Sequence, residues 1–335
     1  MSPLIRGILG LALVAGLTSA GLFLFSEPAD DVVRSEDVAE TTSWQSSRQC
    51  LPCHQDVWDE WHGTQHQGAY LNPEVRKLSD DFRNKECQAC HLPQPVAVTG
   101  YAQRTLPRQT RPDEGVGCIT CHLSADGRIL GRHANPDAAC KPVASPELIS
   151  VAQCESCHNQ HETTDQWRAT HFAAENVSCN DCHMPEVTRQ LAGGGTRTGF
   201  SHVYPAAHDL DMLRKAGEFD ARIEGGELVL SLVNKAAGHN FPTEERSRAL
   251  DMVYRFVNAD GVAGEWTRAY RFRAPYRDEP GEDTQLRSGK SHEERIPVPA
   301  DAVVAEARLW YRRQPYIGDD HPDSVLLFER EVREP

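Results

Sequence analysis

The chain has 335 residues, room for two domains, and a net charge of −14. That charge excludes a nucleic-acid backbone as partner, because phosphate binding needs a basic surface; it suits docking to basic proteins. Apolar residues make up 39% and aromatics 7%, thin for the hydrocarbon core of a chain this long, so part of the core is expected to come from something other than side chains.

Residues 1–25, MSPLIRGILGLALVAGLTSAGLFLF, carry Arg6 as their one charge. They read either as a signal peptide, cut near Thr18-Ser19-Ala20, or as an N-terminal membrane anchor, since the apolar run continues through residues 21–25. Arg6 on one side and Glu27, Asp30 and Asp31 on the other place the bulk of the chain on the periplasmic side of the cytoplasmic membrane. An acidic linker follows over residues 26–43.

Ten of the eleven cysteines then fall in five copies of one motif. The copies are Cys50-Leu-Pro-Cys53-His54, Cys87-Gln-Ala-Cys90-His91, Cys118-Ile-Thr-Cys121-His122, Cys154-Glu-Ser-Cys157-His158 and Cys179-Asn-Asp-Cys182-His183. In an exported protein, cysteines usually mean disulfides, but neither disulfides nor zinc require a histidine after every pair. Covalent attachment of haem c requires all three residues. Two thiols on one turn of chain each add across a vinyl group and form thioethers, and the next residue lies beneath the iron, where an imidazole nitrogen binds. Five haems with iron are therefore expected, with His54, His91, His122, His158 and His183 as proximal ligands.

The other face of each iron decides between a carrier and an open catalytic site. After Met1 only Met184, Met212 and Met252 remain, too few for five irons. Histidine is plentiful, so mostly bis-histidine ligation and low potentials are expected. The stretches WDEWHGTQHQGAY and TDQWRATHFAAENVSCNDCH share Trp, then His, then Ala, and read as helices that present His66 and His171 as distal ligands. His62 lies on the first of these and is open to a surface role. FSHVYPAAHDLDMLRKA offers His202 and His208. His133 and Cys140 lie between the third and fourth motifs; Cys140 is either an unattached thiol or an axial thiolate. His292 and His321 stand in charged surroundings and read as solvated loop residues.

These motifs resemble multihaem c-type cytochromes of the cytochrome c-554 type, related to hydroxylamine oxidoreductase and the multihaem nitrite reductases. The resemblance runs from about Cys50 to Ala216 and rests on the two Trp-His-Ala stretches, GVGCITCH, CNDCHMP and SHVYPAAHD. It implies that His66, His171, His202 and His208 bind irons from the distal side. The family holds both carriers and enzymes, so membership leaves activity open.

From residue 219 the motifs stop and alternation of period two begins, in ELVLSLV, LDMVYRFV, WTRAYRF, VVAEARLWYRR and VLLFEREV. The expected fold is thus a mainly helical and irregular pentahaem domain over residues 44–218, followed by an all-β, immunoglobulin-like sandwich over residues 219–335. NKAAGHNFPTEERSR resembles loops of multihaem cytochromes with an appended sandwich, which implies that His239 is a distal ligand donated by the β-domain. The expected function is electron transfer, with a quinol-oxidising or terminal reductase complex as the redox partner. The alternative is an oxidoreductase with one open haem acting on a small nitrogen or sulfur compound.

Overall fold

The computed structural model describes residues 43–190, 194–243, 247–275, 281–314 and 316–333. The signal peptide or anchor expected over residues 1–25, and residues 26–42 of the linker, lie outside the described residues. Among the described residues, no helix is long and apolar enough to cross a membrane.

The first half of the chain is a series of short helices joined by turns. Four end on the histidine of an attachment motif: Lys85–His91, Cys118–His122, Val151–His158 and Cys179–His183. The first motif follows a single 3-10 turn, Ser47–Gln49. A helical turn is what the motif needs, because residues three and four apart share one face. Capping fixes where these turns start: Asn84 Oδ1 accepts the Glu86 N–H at 3.0 Å, and the Cys118 N–H donates to Ser47 Oγ at 3.0 Å across a long sequence gap. Two small sheets interrupt the helices. β1 (Leu130–Gly131) pairs in parallel with β2 (Val143–Ala144), and β3 (Glu186–Gln190) pairs antiparallel with β4 (Thr196–Phe200).

The second half is all β. It comprises β5 (Gly217–Glu224), β6 (Glu227–Asn234), β7 (Ala249–Asn258), β8 (Thr267–Phe272), β9 (Ser291–Pro297), β10 (Ala302–Arg312) and β11 (Ser324–Arg333). They form a three-stranded antiparallel sheet, β5-β6-β9, and a four-stranded one, β11-β10-β7-β8. One core joins the two sheets: Leu228, Leu230 and Leu232 of β6 meet Leu250, Met252, Ala307 and Leu309, all fully buried. Period-two alternation places these side chains on one face.

The two halves differ in what fills them. Of thirty buried hydrophobic side chains among the described residues, nine lie before Gly217. The helical half therefore has little hydrocarbon core for its length, in keeping with the thin aromatic content.

β9 corrects the expectation for His292. This residue is in a strand, not a loop, with its ring 3.9 Å from that of Tyr270 and its Nε2 2.7 Å from Glu294. The run Ser-His-Glu-Glu-Arg hides the alternation because its outward positions carry Glu293 and Arg295, which pair with Arg222, Glu224 and Glu227 on the neighbouring strands.

A polar seam ties the halves together. Gln166 Oε1 accepts the Asn240 N–H at 3.2 Å and the Thr243 hydroxyl at 2.6 Å, and Gln166 Nε2 donates to Gln285 Oε1 at 3.3 Å. Arg214 Nε donates to Leu327 O at 2.9 Å and Arg313 Nε to Ala207 O at 3.3 Å.

Candidate haem sites

Histidines far apart in sequence face one another in three places. His66 and His158 have ring centroids 6.0 Å apart, His122 and His202 6.3 Å, and His183 and His239 6.3 Å with planes only 10° from parallel. Metal–imidazole bonds of about 2.0–2.1 Å put two rings trans on one metal at a centroid separation of about 6.3 Å. Rings in van der Waals contact would be closer. In each pair one histidine closes an attachment motif and the other comes from elsewhere in the chain.

The outer nitrogens of four of these rings are tied down. His122 Nδ1 lies 2.9 Å from Leu130 O, His183 Nδ1 2.7 Å from Pro205 O, His202 Nδ1 2.9 Å from Phe200 O and His239 Nδ1 2.8 Å from Asn240 O. His91 Nδ1 lies 3.0 Å from Ala69 O. A carbonyl on Nδ1 fixes that nitrogen as the donor, so Nε2 keeps its lone pair and the ring its orientation. Burial favours the neutral ring as well. Desolvation, with His158 next in size, pushes the pKa of His66 down to about 3. Desolvation and then His122 push His202 down to about 4. Desolvation also lowers His122 and His183, and at His54 it does so ahead of Arg197. Neutral imidazoles are the form that binds metal.

The thiols fit covalent attachment. None of the eleven cysteines is in a disulfide, and none of the ten motif cysteines is fully buried. Motifs also lie beside one another: the Cys50 thiol is next to Cys118, Cys154 next to Cys179, and Cys157 next to Cys90. Cys121 lies near both Cys154 and Cys157. The five attachment points form one array with the fourth motif at its junction.

Two local devices position the motifs. The Trp61 indole N–H donates to Val116 O at 2.9 Å, two residues before Cys118, and Thr64 Oγ1 donates to Trp61 O at 2.7 Å. The Trp167 indole donates to Val177 O at 2.9 Å, two residues before Cys179, and Thr170 Oγ1 donates to Trp167 O at 2.7 Å. Val116 N–H bonds His66 O and Val177 N–H bonds Phe172 O, both at 2.8 Å. His66 and Phe172 are therefore equivalent, and His171 matches Gln65. The continuous helix expected through each stretch is broken in both. The first ends at Trp61, with Gly63 at φ +88°, and the second ends at Arg168 and restarts at His171.

Of the five expected distal residues, the structure brings His66, His202 and His239 opposite a motif histidine. It places the exposed His171 against Phe172, ring centroids 4.1 Å apart. His208 sits among arginines: desolvation, then Arg313 and Arg248, push its pKa down to about 4. His133 is exposed, whereas Cys140 is partly covered and lies near Cys50. Sequence reasoning missed Glu60. Its carboxylate accepts the His202 N–H at 2.8 Å and both Arg189 Nε and Nη2, at 3.0 and 2.5 Å. Hydrogen bonds to the ionised form hold its pKa below the usual carboxylate value against partial burial. Nothing in the local sequence marks Glu60, because its partners lie more than a hundred residues away.

Five attachment motifs on this fold define a multihaem c-type cytochrome with covalently bound haem and iron. Residues 49–123 match the family described as cytochrome c554 and c-prime. Among solved structures, the chain is similar to a penta-heme cytochrome c552 from Thermochromatium tepidum. The likeness has 19% identity and a TM-score of 0.64, over 89% of this chain and 100% of that one. No curated protein matches the chain.

Proposed function

We propose that the chain is a periplasmic pentahaem electron carrier whose haems are mostly ligated by two histidines. The three facing imidazole pairs carry this reading: a position already filled by His66, His202 or His239 leaves no face of that iron for a substrate. Haem iron supplies one-electron exchange between its ferric and ferrous states. The protein's part is to hold it. Motif cysteines and histidines fix position, carbonyls on Nδ1 fix ring orientation, and the Glu60–Arg189 pair fixes the turn that carries His202. The neighbouring motifs support a continuous path from the first motif through the third and fourth to the fifth, with the second branching from the fourth.

The strand orders β5-β6-β9 and β11-β10-β7-β8 support reading residues 219–335 as an immunoglobulin-like β-sandwich. Its role in this proposal is to donate His239. A Cβ added at Gly238 would lie 3.4 Å from Trp167 Cδ1 and 3.5 Å from Phe172 Cδ2, so this loop packs in van der Waals contact with the helical half. Export, through either reading of residues 1–25, accords with attachment chemistry completed outside the cytoplasm. The redox partner would be a quinol-oxidising or a terminal reductase complex.

Film voltammetry of the haem-loaded protein tests the proposal. A carrier gives reversible, non-catalytic one-electron waves that do not change when nitrite, hydroxylamine or sulfite is added. A sustained catalytic current with any of these would move the protein to the enzymes.

A further inference from the structure

A cationic cluster lies where the segments holding the fifth motif's imidazole pair meet the β-domain. Arg248 Nη1 is buried and has no hydrogen-bond partner among the described residues. Its charge reaches His208 and Tyr311, as does that of Arg313. Arg313 Nε donates to Ala207 O at 3.3 Å, and its Nη1 lies 3.4 Å from Asp323 Oδ1. Asp323 also accepts from Gln314 Nε2 at 3.1 Å. The nearby buried Asp251 is engaged by Arg271 and Arg312, at 2.6 and 3.1 Å. Asp323 is thus taken by Arg313 and Gln314, and Asp251 by Arg271 and Arg312. A buried charged donor without a partner is destabilising, so the cluster suits an anionic acceptor.

The neighbouring chain suggests which one. Pro205 O, three residues before His208, holds His183 Nδ1. His239, which faces His183, lies two residues before Phe241, and Phe241 stacks on Tyr311 with centroids 6.1 Å apart. The segment that bonds His183 and the segment that carries His239 thus border the cluster. Haem bears two propionate carboxylates, and a planar guanidinium fork matches a carboxylate.

We propose that Arg248, with Arg313 beside it, binds a propionate of the haem held between His183 and His239 and so raises that haem's reduction potential. This rests on the bis-histidine reading above. A guanidinium paired to the propionate offsets negative charge next to the iron and favours the ferrous state. Arg248 is a positioning and tuning residue, not a ligand.

The test is spectroelectrochemical titration of the haem-loaded full chain, with the fifth haem assigned through His239→Ala, which turns it high-spin. Arg248→Met is expected to lower the reduction equilibrium of that one haem about tenfold, which is about 59 mV for one electron, with low-spin signals unchanged. Arg248→Lys is expected to shift it by less, with weakened propionate-bending bands in resonance Raman. Unchanged potentials and unchanged Raman bands in the lysine variant overturn the proposal, even where the methionine variant does not assemble. Adding acetate or phosphate to the wild-type protein at constant ionic strength is expected to change nothing. A saturable shift would give the site to a solution anion and overturn the propionate assignment. If His239→Ala leaves every haem low-spin, the bis-histidine reading itself fails, whatever Arg248 does.

Discussion

Residues 61–69 and 167–175 repeat one device, a tryptophan latched to the carbonyl two residues ahead of an attachment motif and a threonine folded back on the tryptophan carbonyl. The device ends differently in the two places. In the first, the residue bonded to the valine N–H is His66, which faces His158; in the second it is Phe172. With a phenyl in that position, the second unit presents an apolar surface, and the loop at Gly238 packs on it. The next residue of that loop, His239, faces His183. One scaffold thus supplies an imidazole directly, and the other recruits it from the β-domain. The lesson is that a ligand position is set by the hydrogen-bonded frame, not by distance along the chain from a tryptophan.

Six substitutions break or sharpen this comparison. Trp61 is almost fully buried, so Trp61→Ala is expected to cost about 3–5 kcal/mol. Trp167→Ala should cost less, as that ring is only partly covered. Denaturant melts of the haem-loaded protein measure both, and no loss in either would remove the shared latch. His66→Ala is expected to convert one haem in five to high spin, whereas Phe172→Ala keeps the low-spin signals and loses only packing. The same spectral outcome from both would end the distinction. Glu60→Gln weakens the hold on His202; the expected loss is about 1–3 kcal/mol, with a partial high-spin fraction confined to one haem in the absorption spectrum. His171→Ala is expected to be the mildest, leaving the signals of the three paired sites unchanged, since His171 matches Gln65 in the frame.

The sequence carries the attachment chemistry completely, because Cys-x-x-Cys-His is a local device that one helical turn can satisfy. The strands β6, β7, β8, β10 and β11 were also legible, since one face of each meets the core. Less legible were β5 and β9: the charged run around His292 reads as loop until the neighbouring strands supply partners for Glu293 and Arg295. Pairing of histidines was not legible at all. His66 finds His158 across most of the helical half, and His202 finds His122 through a hairpin held by Glu60. The one-residue offset between His66 and His171 is invisible to a pattern of Trp, His and Ala, because only the bonds to Val116 and Val177 reveal which residues correspond.

The most direct test of the account is electron paramagnetic resonance of the oxidised, haem-loaded protein, with a carbon monoxide titration of its reduced form. Three facing imidazole pairs predict at least three low-spin, bis-histidine haems and uptake of no more than two carbon monoxide molecules per chain. Fewer than three low-spin haems, or uptake of three or more, would contradict it.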